Sequence, residues 1–242
     1  MRFRLPVILI IILLSIGLIQ AQESEATPEP LPPLPEAQLV EIEAADGLML
    51  KGDFYLVDNA RPTIFLIHEL YARRSSWDSV LEPLLRAGYN VLAIDVRGHG
   101  ATRGGLDWNR AIDDIALWFT WLREEAEVRP DAISTMGSSM GSTLTIIACA
   151  NDAACRTTIA ISPGWSYYGF SLEGFIAARP ILVVYAERDR WPALGVPDMV
   201  AAAPNTLTVH TYTGNAHGMN LLRNELEDFT EIMLDWFAAY GS

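Results

Sequence analysis

The chain has 242 residues, enough for one domain with a full hydrophobic core. Half of its residues are hydrophobic and 19% are charged, which is typical of a globular protein and excludes a largely disordered one. The formal net charge of −13 repels phosphate backbones and anionic lipids, so the composition argues against nucleic-acid binding.

The first segment, residues 1–21, has the pattern of an export signal. Arg2 and Arg4 precede an apolar run from Leu5 to Ile19. The run is shorter than the roughly 20 residues that span a bilayer, which favours cleavage. We therefore predict an exported protein, periplasmic or extracellular. The alternative is an uncleaved segment that anchors the protein in a membrane.

Residues 22–36 are rich in proline and predict a linker. Proline lacks the amide donor and favours extended conformations, so this stretch is expected to lie outside a core. The folded domain is predicted to span residues 37–242. The sequence contains no internal repeat.

Strands and helices alternate along this domain. Segments of alternating apolar and polar residues flank Asp46 and Gly47 and predict a hairpin. Continuous apolar runs beginning at Thr63 and Tyr89 predict strands covered on both faces. Further strands are predicted over DAISTMG, TTIAISP, PILVVYAE and TLTVHTYTG, and helices over SWDSVLEPLLRAG, DWNRAIDDIALWFTWLREE, STLTIIACA and NELEDFTEIMLDWFAAY. The pattern predicts one three-layer α/β domain with a mostly parallel sheet and helices on both faces.

The segment GSSMG, from Gly137 to Gly141, fits Gly-x-Ser-x-Gly between a predicted strand and a predicted helix. Small flanking residues make room for a sharp turn at the central Ser139, which we predict as a nucleophile. The helix N-terminus supplies a positive backbone field, so the Met140 amide is a predicted oxyanion donor. A small-residue helix cap without chemistry is the alternative.

A serine nucleophile needs a base, and the chain has four histidines. His68 and His99 precede Ser139, and His210 lies within a predicted strand. His217 follows that strand in a glycine-flanked loop, as the chain order serine, acid, histidine requires. We therefore predict His217 as the base.

The third member is expected to be a carboxylate after the strand PILVVYAE, where Glu187 and Asp189 both occur. Asp189 lies further into the following loop and can reach toward the base, so it is the predicted orienting residue. The alternative for Asp189 is a surface salt bridge with Arg188 or Arg190.

A second oxyanion donor is expected in the loop after the strand TIFLIH. The Leu70 amide is the predicted donor and the Glu69 amide is the second choice. We expect His68 to stiffen this loop through hydrogen bonds.

The segments IHEL, DVRGHG, GSSMG, ERD and NAHG lie within residues 37–242, and together they resemble the α/β-hydrolase superfamily. The His-Glu pair is similar to the dienelactone hydrolase branch. That branch often has a cysteine nucleophile, so Ser139 favours its esterase-like relatives. The resemblance implies the α/β-hydrolase fold with eight strands, an esterase-type mechanism, and neither a metal nor an organic cofactor.

Many lipases of this fold insert a helical cap after the strand TTIAISP. Here only Gly164 to Arg179 separate that strand from the next, so no cap domain and an open pocket are expected. Aromatic side chains are predicted to line the pocket, and ordinary packing is the alternative for them. They are Tyr71, Trp77, Trp165, Tyr167, Tyr168, Phe170 and Trp191.

The two cysteines, Cys149 and Cys155, flank a turn-like segment between a predicted helix and a predicted strand. After export, a disulfide across this short loop is sterically feasible. Two buried free thiols are the alternative, and the sequence leaves both open.

These patterns predict an exported serine hydrolase, a carboxylesterase that cleaves small or short-acyl esters through an acyl-enzyme. Its partner is a small-molecule ester, and membrane contact is expected only through the N-terminal segment. An acyltransferase with the same three residues and an inactive hydrolase-fold binding module are the alternatives. The sequence leaves the oligomeric state undetermined.

Overall fold

The computed structural model describes residues 31–167 and 169–241. The predicted export signal over 1–21 and most of the predicted linker over 22–36 lie outside these residues. The chain divides into Met1–Pro33 and Leu34–Ser242, and all the helices and strands described below belong to the second unit. Within the described ranges, no helix is both long enough and apolar enough to cross a membrane.

Ten strands and five α-helices form over the described residues. The strands are β1 (Gln38–Glu43), β2 (Met49–Tyr55), β3 (Thr63–Ile67), β4 (Asn90–Asp95), β5 (Ile133–Ser138), β6 (Cys155–Ile161), β7 (Ser166–Tyr167), β8 (Phe170–Ser171), β9 (Ile181–Ala186) and β10 (Leu207–Tyr212). The helices are α1 (Asp78–Arg86), α2 (Trp108–Glu124), α3 (Met140–Asn151), α4 (Arg190–Ala202) and α5 (Met219–Tyr240), and a 3₁₀ turn over Arg74–Trp77 precedes α1.

Eight of the strands form one sheet in the order β1-β2-β4-β3-β5-β6-β9-β10. The pairs β1–β2 and β2–β4 are antiparallel, and the remaining neighbours are parallel. The predicted mostly parallel eight-stranded sheet is therefore confirmed. Between β6 and β9, the described residues form only turns and the small hairpin β7–β8, without a helical cap.

Both faces of the sheet are covered, because successive side chains of a buried strand point to opposite sides. In β3, Ile64 and Leu66 pack in a core cluster with α1 and α5. Phe65 and Ile67 pack on the other face, in a cluster with α2 and α3. The helices on both faces, predicted from the alternation of elements, are confirmed.

Helix α4 is absent from the sequence prediction because its residues include Pro192, Gly195 and Pro197, which are poor helix formers. Pro192 lies in the first turn, where the missing amide donor matters least. Val196 and Met199 are buried in a core cluster on the sheet. This packing outweighs the weak local preference and holds the segment helical.

The two cysteines form a disulfide that joins the last turn of α3 to the start of β6. The Cα atoms of Cys149 and Cys155 are 5.1 Å apart, and both residues are buried. Of the two alternatives that the sequence leaves open, the structure has the disulfide.

Replacement of both cysteines, Cys149→Ala with Cys155→Ala, is expected to lower the free energy of unfolding. The closed loop is short, so the loss of cross-linking contributes about 2 kcal/mol. Urea unfolding of the oxidised wild type and of the double variant measures the difference. Wild type unfolded with dithiothreitol is the control, because it lacks the bond but keeps both side chains. Equal midpoints for oxidised and reduced wild type contradict the prediction.

Candidate active site

Ser139 lies in the sharp turn between β5 and α3. Its backbone angles are φ 49° and ψ −110°, a region that residues other than glycine rarely adopt. The Ser139 amide donates a 2.8 Å hydrogen bond to the carbonyl of Ile161, at the end of the neighbouring strand β6. This bond holds the strained turn at the carboxyl edge of the sheet.

Gly137 and Gly141 allow this turn because they have no side chain. Backbone atoms of neighbouring residues occupy the space that a Cβ at either position would need. A Cβ at Gly141 would lie 2.0 Å from the carbonyl oxygen of Ile67 in β3. A Cβ at Gly137 would lie 2.2 Å from the carbonyl oxygen of Gly141. Both distances are far inside van der Waals contact, so only glycine lets α3 pack this closely on the sheet.

Three side chains predicted from separate parts of the sequence form one hydrogen-bonded chain. Nε2 of His217 lies 2.7 Å from Oγ of Ser139. Nδ1 of the same ring lies 2.8 Å from Oδ2 and 3.0 Å from Oδ1 of Asp189. The structure thus brings together a hydroxyl, an imidazole and a carboxylate in the order that nucleophilic catalysis uses.

Asp189 is positioned by the start of α4, where it is the N-cap residue without a side-chain capping bond. Its amide donates to the carbonyl of Ala186 at 2.8 Å, and the residue is only 4% exposed. The carboxylate is therefore free to accept from the imidazole of His217. Glu187, the other carboxylate in this segment, is half exposed and lies 3.9 Å from Nε of Arg188.

The pKa of His217 is raised above its ordinary value. The hydrogen bond to Asp189 is the largest cause, and the charges of Asp189 and Glu69 add to it. Partial burial of the ring opposes the rise, because burial disfavours the charged form. The imidazole therefore accepts a proton more readily than a free histidine.

The predicted oxyanion donor Met140 is the first residue of α3. The first amides to donate hydrogen bonds within this part of the chain are those of Ser142 and Thr143, which donate to the carbonyl of Ser139. The Met140 amide comes before them in the chain. Amides at this end of a helix lack partners within it and lie in the positive field of the helix dipole. The Met140 amide is thus next to the nucleophile and has no acceptor within the helix.

The predicted second donor, Leu70, lies in a loop held by His68. The amide of Val96 donates to Nε2 of His68 at 3.0 Å, so that nitrogen carries no proton. Nδ1–H therefore donates to the carbonyl of Glu69, at 2.7 Å. Burial lowers the pKa of His68 to about 4, which keeps the ring neutral.

The side chains of Ser162 and Glu69 hold the loop that carries His217, through contacts that the sequence did not predict. The amide of Gly218 donates to Oγ of Ser162 at 2.9 Å. The next amide, that of Met219, donates to Oε2 of Glu69 at 2.9 Å. Local sequence carries little signal for these contacts, because their partners lie far apart in the chain.

Two cavities share Leu106 and Trp108 as lining residues, and the first of them lies beside the loop after β3. The first has a volume of about 490 Å³ and is also lined by Leu70, Tyr71, Ala72, Gly98, His99 and Gly100. The second has a volume of about 460 Å³ and is also lined by Asp107, Asn109, Gly169 and Phe170. The Trp108 ring packs edge-on against Tyr167, with ring centroids 5.3 Å apart.

The aromatic residues predicted to line a pocket have different positions. Tyr71 lines the first cavity and is 91% exposed. Trp165 packs against the core cluster that includes α4, and Trp191 is half exposed beside the guanidinium of Arg190. Tyr168 lies outside the described residues. Trp77 is buried in the core with α1, so its prediction as a pocket residue is wrong.

The model of the alpha/beta hydrolase family matches residues 64–238, and the chain belongs to this family. The match confirms the superfamily resemblance and does not specify the dienelactone hydrolase branch. The chain is similar to the esterase Pf2001 of Pyrococcus furiosus, with a TM-score of 0.73 and 20% identity, over 86% of this chain and 92% of that one. At this identity the likeness shows the fold alone.

Two curated relatives are similar over part of their length. The thiohydrolase aneE of Aspergillus aculeatus is 29% identical over 131 residues, which are 51% of this chain and 41% of that protein. The uncharacterized protein YfhR of Escherichia coli O157:H7 is 26% identical over 179 residues, 63% of each chain. The chain therefore spans less than two thirds of the length of these relatives.

Gly141→Ala is expected to destabilise the fold by about 2–3 kcal/mol, the upper part of the range for overpacking. The reason is the clash of the new Cβ with the carbonyl oxygen of Ile67, which a rigid strand cannot relieve. Urea unfolding measures the loss. Gly105→Ala is the matched control, since no heavy atom lies within 4 Å of a Cβ built there. Equal midpoints for the two variants contradict the prediction.

Proposed function

We propose that this protein is a serine hydrolase that cleaves carboxylic esters of small molecules through an acyl-enzyme. The observation that carries the proposal is the hydrogen-bonded chain from Ser139 through His217 to Asp189. Membership of the alpha/beta hydrolase family and the position of Ser139 in a strained strand-to-helix turn support the same reading.

In the first step, Oγ of Ser139 attacks the carbonyl carbon of the ester while its proton moves to Nε2 of His217. The resulting imidazolium is stabilised by Asp189, which accepts from Nδ1–H. Negative charge develops on the former carbonyl oxygen. The amides of Met140 and Leu70 are the donors that we assign to this oxyanion.

The tetrahedral intermediate then collapses and the bond to the alcohol breaks. The alkoxide leaves with the proton from Nε2 of His217, and the acyl group stays on Ser139 as an ester. A water molecule next gives a proton to His217 and attacks the acyl carbon. Collapse of this second intermediate releases the acid and returns the proton to Ser139.

The cavity whose lining includes Leu70, but neither Ser139 nor His217, is the candidate site for part of a small-molecule substrate. Its volume of about 490 Å³ holds a short acyl chain together with the alcohol part of an ester. Its lining includes apolar side chains and lacks a lysine or arginine among the residues that form it. An uncharged ester of small size therefore suits this cavity better than an anionic one.

Export is part of the proposal. The basic and apolar pattern of residues 1–21 is the reason from the sequence. The buried disulfide between Cys149 and Cys155 supports it, because such bonds persist in oxidising compartments outside the cytosol.

Ser139→Ala is expected to lower kcat/KM for p-nitrophenyl acetate by about 10⁴-fold or more, because the nucleophile is removed. It is also expected to abolish labelling by a fluorophosphonate probe. Ser171→Ala is the control, since Ser171 is exposed and its Oγ accepts a hydrogen bond from the amide of Glu173, two residues away. Undiminished hydrolysis or labelling in Ser139→Ala overturns the proposed function.

The activity is expected to depend on pH through His217, which must be neutral to accept the serine proton. Since its pKa is raised above 6.5, kcat/KM rises with pH through a midpoint above that value. Asp189→Asn removes the largest cause of the rise. The midpoint then moves to lower pH and the plateau falls by about 10⁴-fold, the scale known for this change in serine proteases.

The pH profiles of wild type and Asp189→Asn, recorded on the same ester, test this prediction. Wild type whose midpoint lies at or below 6.5 contradicts the raised pKa. An unchanged plateau in Asp189→Asn contradicts the role given to the carboxylate.

A further inference from the structure

One carboxylate oxygen of Glu69 joins three parts of the site. Oε2 of Glu69 accepts a 2.8 Å hydrogen bond from Oγ of Ser138 and a 2.9 Å hydrogen bond from the amide of Met219. Ser138 is the residue before the nucleophile, and Met219 follows two residues after His217. The loop after β3, the end of β5 and the start of α5 therefore meet at this oxygen.

We propose that Glu69 is a positioning residue. It keeps the turn of Ser139 and the loop of His217 in fixed positions relative to each other, and it places a second negative charge toward His217. The inference rests on the proposed function, because the relative positions of Ser139 and His217 and the charge of Glu69 affect activity through the proton transfer from Ser139 to His217. Glu69 itself touches neither Ser139 nor the substrate in this assignment and acts through its neighbours.

The chain connections let Glu69 restrain Ser139 and the loop of His217 relative to each other. Ser138 and Ser139 are consecutive, so a hydrogen bond to the first restrains the second. Met219 is the first residue of α5, whose helical geometry is interrupted at Glu225, and its amide has no acceptor within the helix. The Glu69 carboxylate supplies the acceptor that this amide lacks within the helix. Movement of Glu69 would release both partners together.

Close packing around Gly218 supports the same conclusion. Gly218 has φ 57° and ψ −135°, which residues with a side chain rarely adopt. A Cβ built there would lie 1.9 Å from Oε2 of Glu69 and 2.9 Å from Oγ of Ser138. The glycine next to His217 therefore leaves the space that the carboxylate fills.

The charge of Glu69 acts on the protonated form of His217. Two carboxylates act on this imidazole, Asp189 from the start of α4 and Glu69 from the loop after β3. Both raise the pKa of His217, and partial burial of the ring lowers it. During proton transfer the ring becomes positive, so a second nearby negative charge stabilises the same state that Asp189 stabilises.

Glu69→Gln in the full-length protein tests the proposal, since it keeps the shape of the side chain and removes its charge. We expect kcat to fall about tenfold, the scale of a modest misplacement of reacting groups, with a smaller change in KM. The midpoint of kcat/KM against pH is expected to move to lower pH. The pKa of His217, measured by NMR titration of the imidazole, is expected to fall in parallel.

Two more variants separate the positioning effect of Glu69 from the effect of its charge. Ser138→Ala removes one donor and leaves the carboxylate, so kcat is expected to fall by less than in Glu69→Gln while the pH midpoint stays in place. Glu173→Gln is the matched control, because Glu173 is an exposed glutamate outside the contacts of His217. Neither kcat nor the midpoint is expected to change in this control.

The outcomes distinguish this proposal from the proposed function. If Glu69→Gln matches Glu173→Gln in kcat, in pH midpoint and in the NMR pKa of His217, the proposal is overturned, even when thermal stability falls. If wild type neither cleaves esters nor reacts with the fluorophosphonate probe, the proposed function fails. The NMR pKa still reports on the charge of Glu69 in that case, and an unchanged value overturns the inference separately.

Discussion

The site depends on the close approach of α3 to the backbone of β3 and β5. Gly141 lies where any side chain would meet the carbonyl oxygen of Ile67, and Gly137 lies where any side chain would meet Gly141. This approach leaves Ser139 little room, and its φ of 49° is the consequence. A strained residue persists only where its surroundings over-determine it. Here the hydrogen bond from the Ser139 amide to the Ile161 carbonyl, together with the buried helix α3, supplies that restraint.

The parallel sheet explains why residues distant in sequence meet at this turn. Parallel strands end at the same edge, so the loops that follow them are neighbours in space. The loops after β3, β5, β9 and β10 carry Glu69, Ser139, Asp189 and His217 in turn. The hydrogen bonds between these loops, rather than any one loop alone, define the distances among the side chains.

Two histidines near this edge have opposite electrostatic environments. His68 is fully buried between two backbone groups, and burial lowers its pKa to about 4, so the ring serves as a neutral bridge. His217 is more exposed and faces two carboxylates, and its pKa is raised. The difference follows from desolvation in one case and from a charged hydrogen-bond partner in the other. It accounts for a structural role for the first ring and a proton-accepting role for the second.

The sequence by itself determined the eight strands of the main sheet, four of the five helices and the position of Ser139. These follow from local hydrophobic patterns and from glycines two residues on either side of the serine. It also narrowed the base to His217 by elimination among four histidines. Only the tertiary structure decided the helical state of α4, the contact of Asp189 rather than Glu187 with the imidazole, and the disulfide. It alone revealed the carboxylate contacts of Glu69. The reason is physical: these features depend on packing and hydrogen bonds between segments far apart in the chain, which local propensity does not encode.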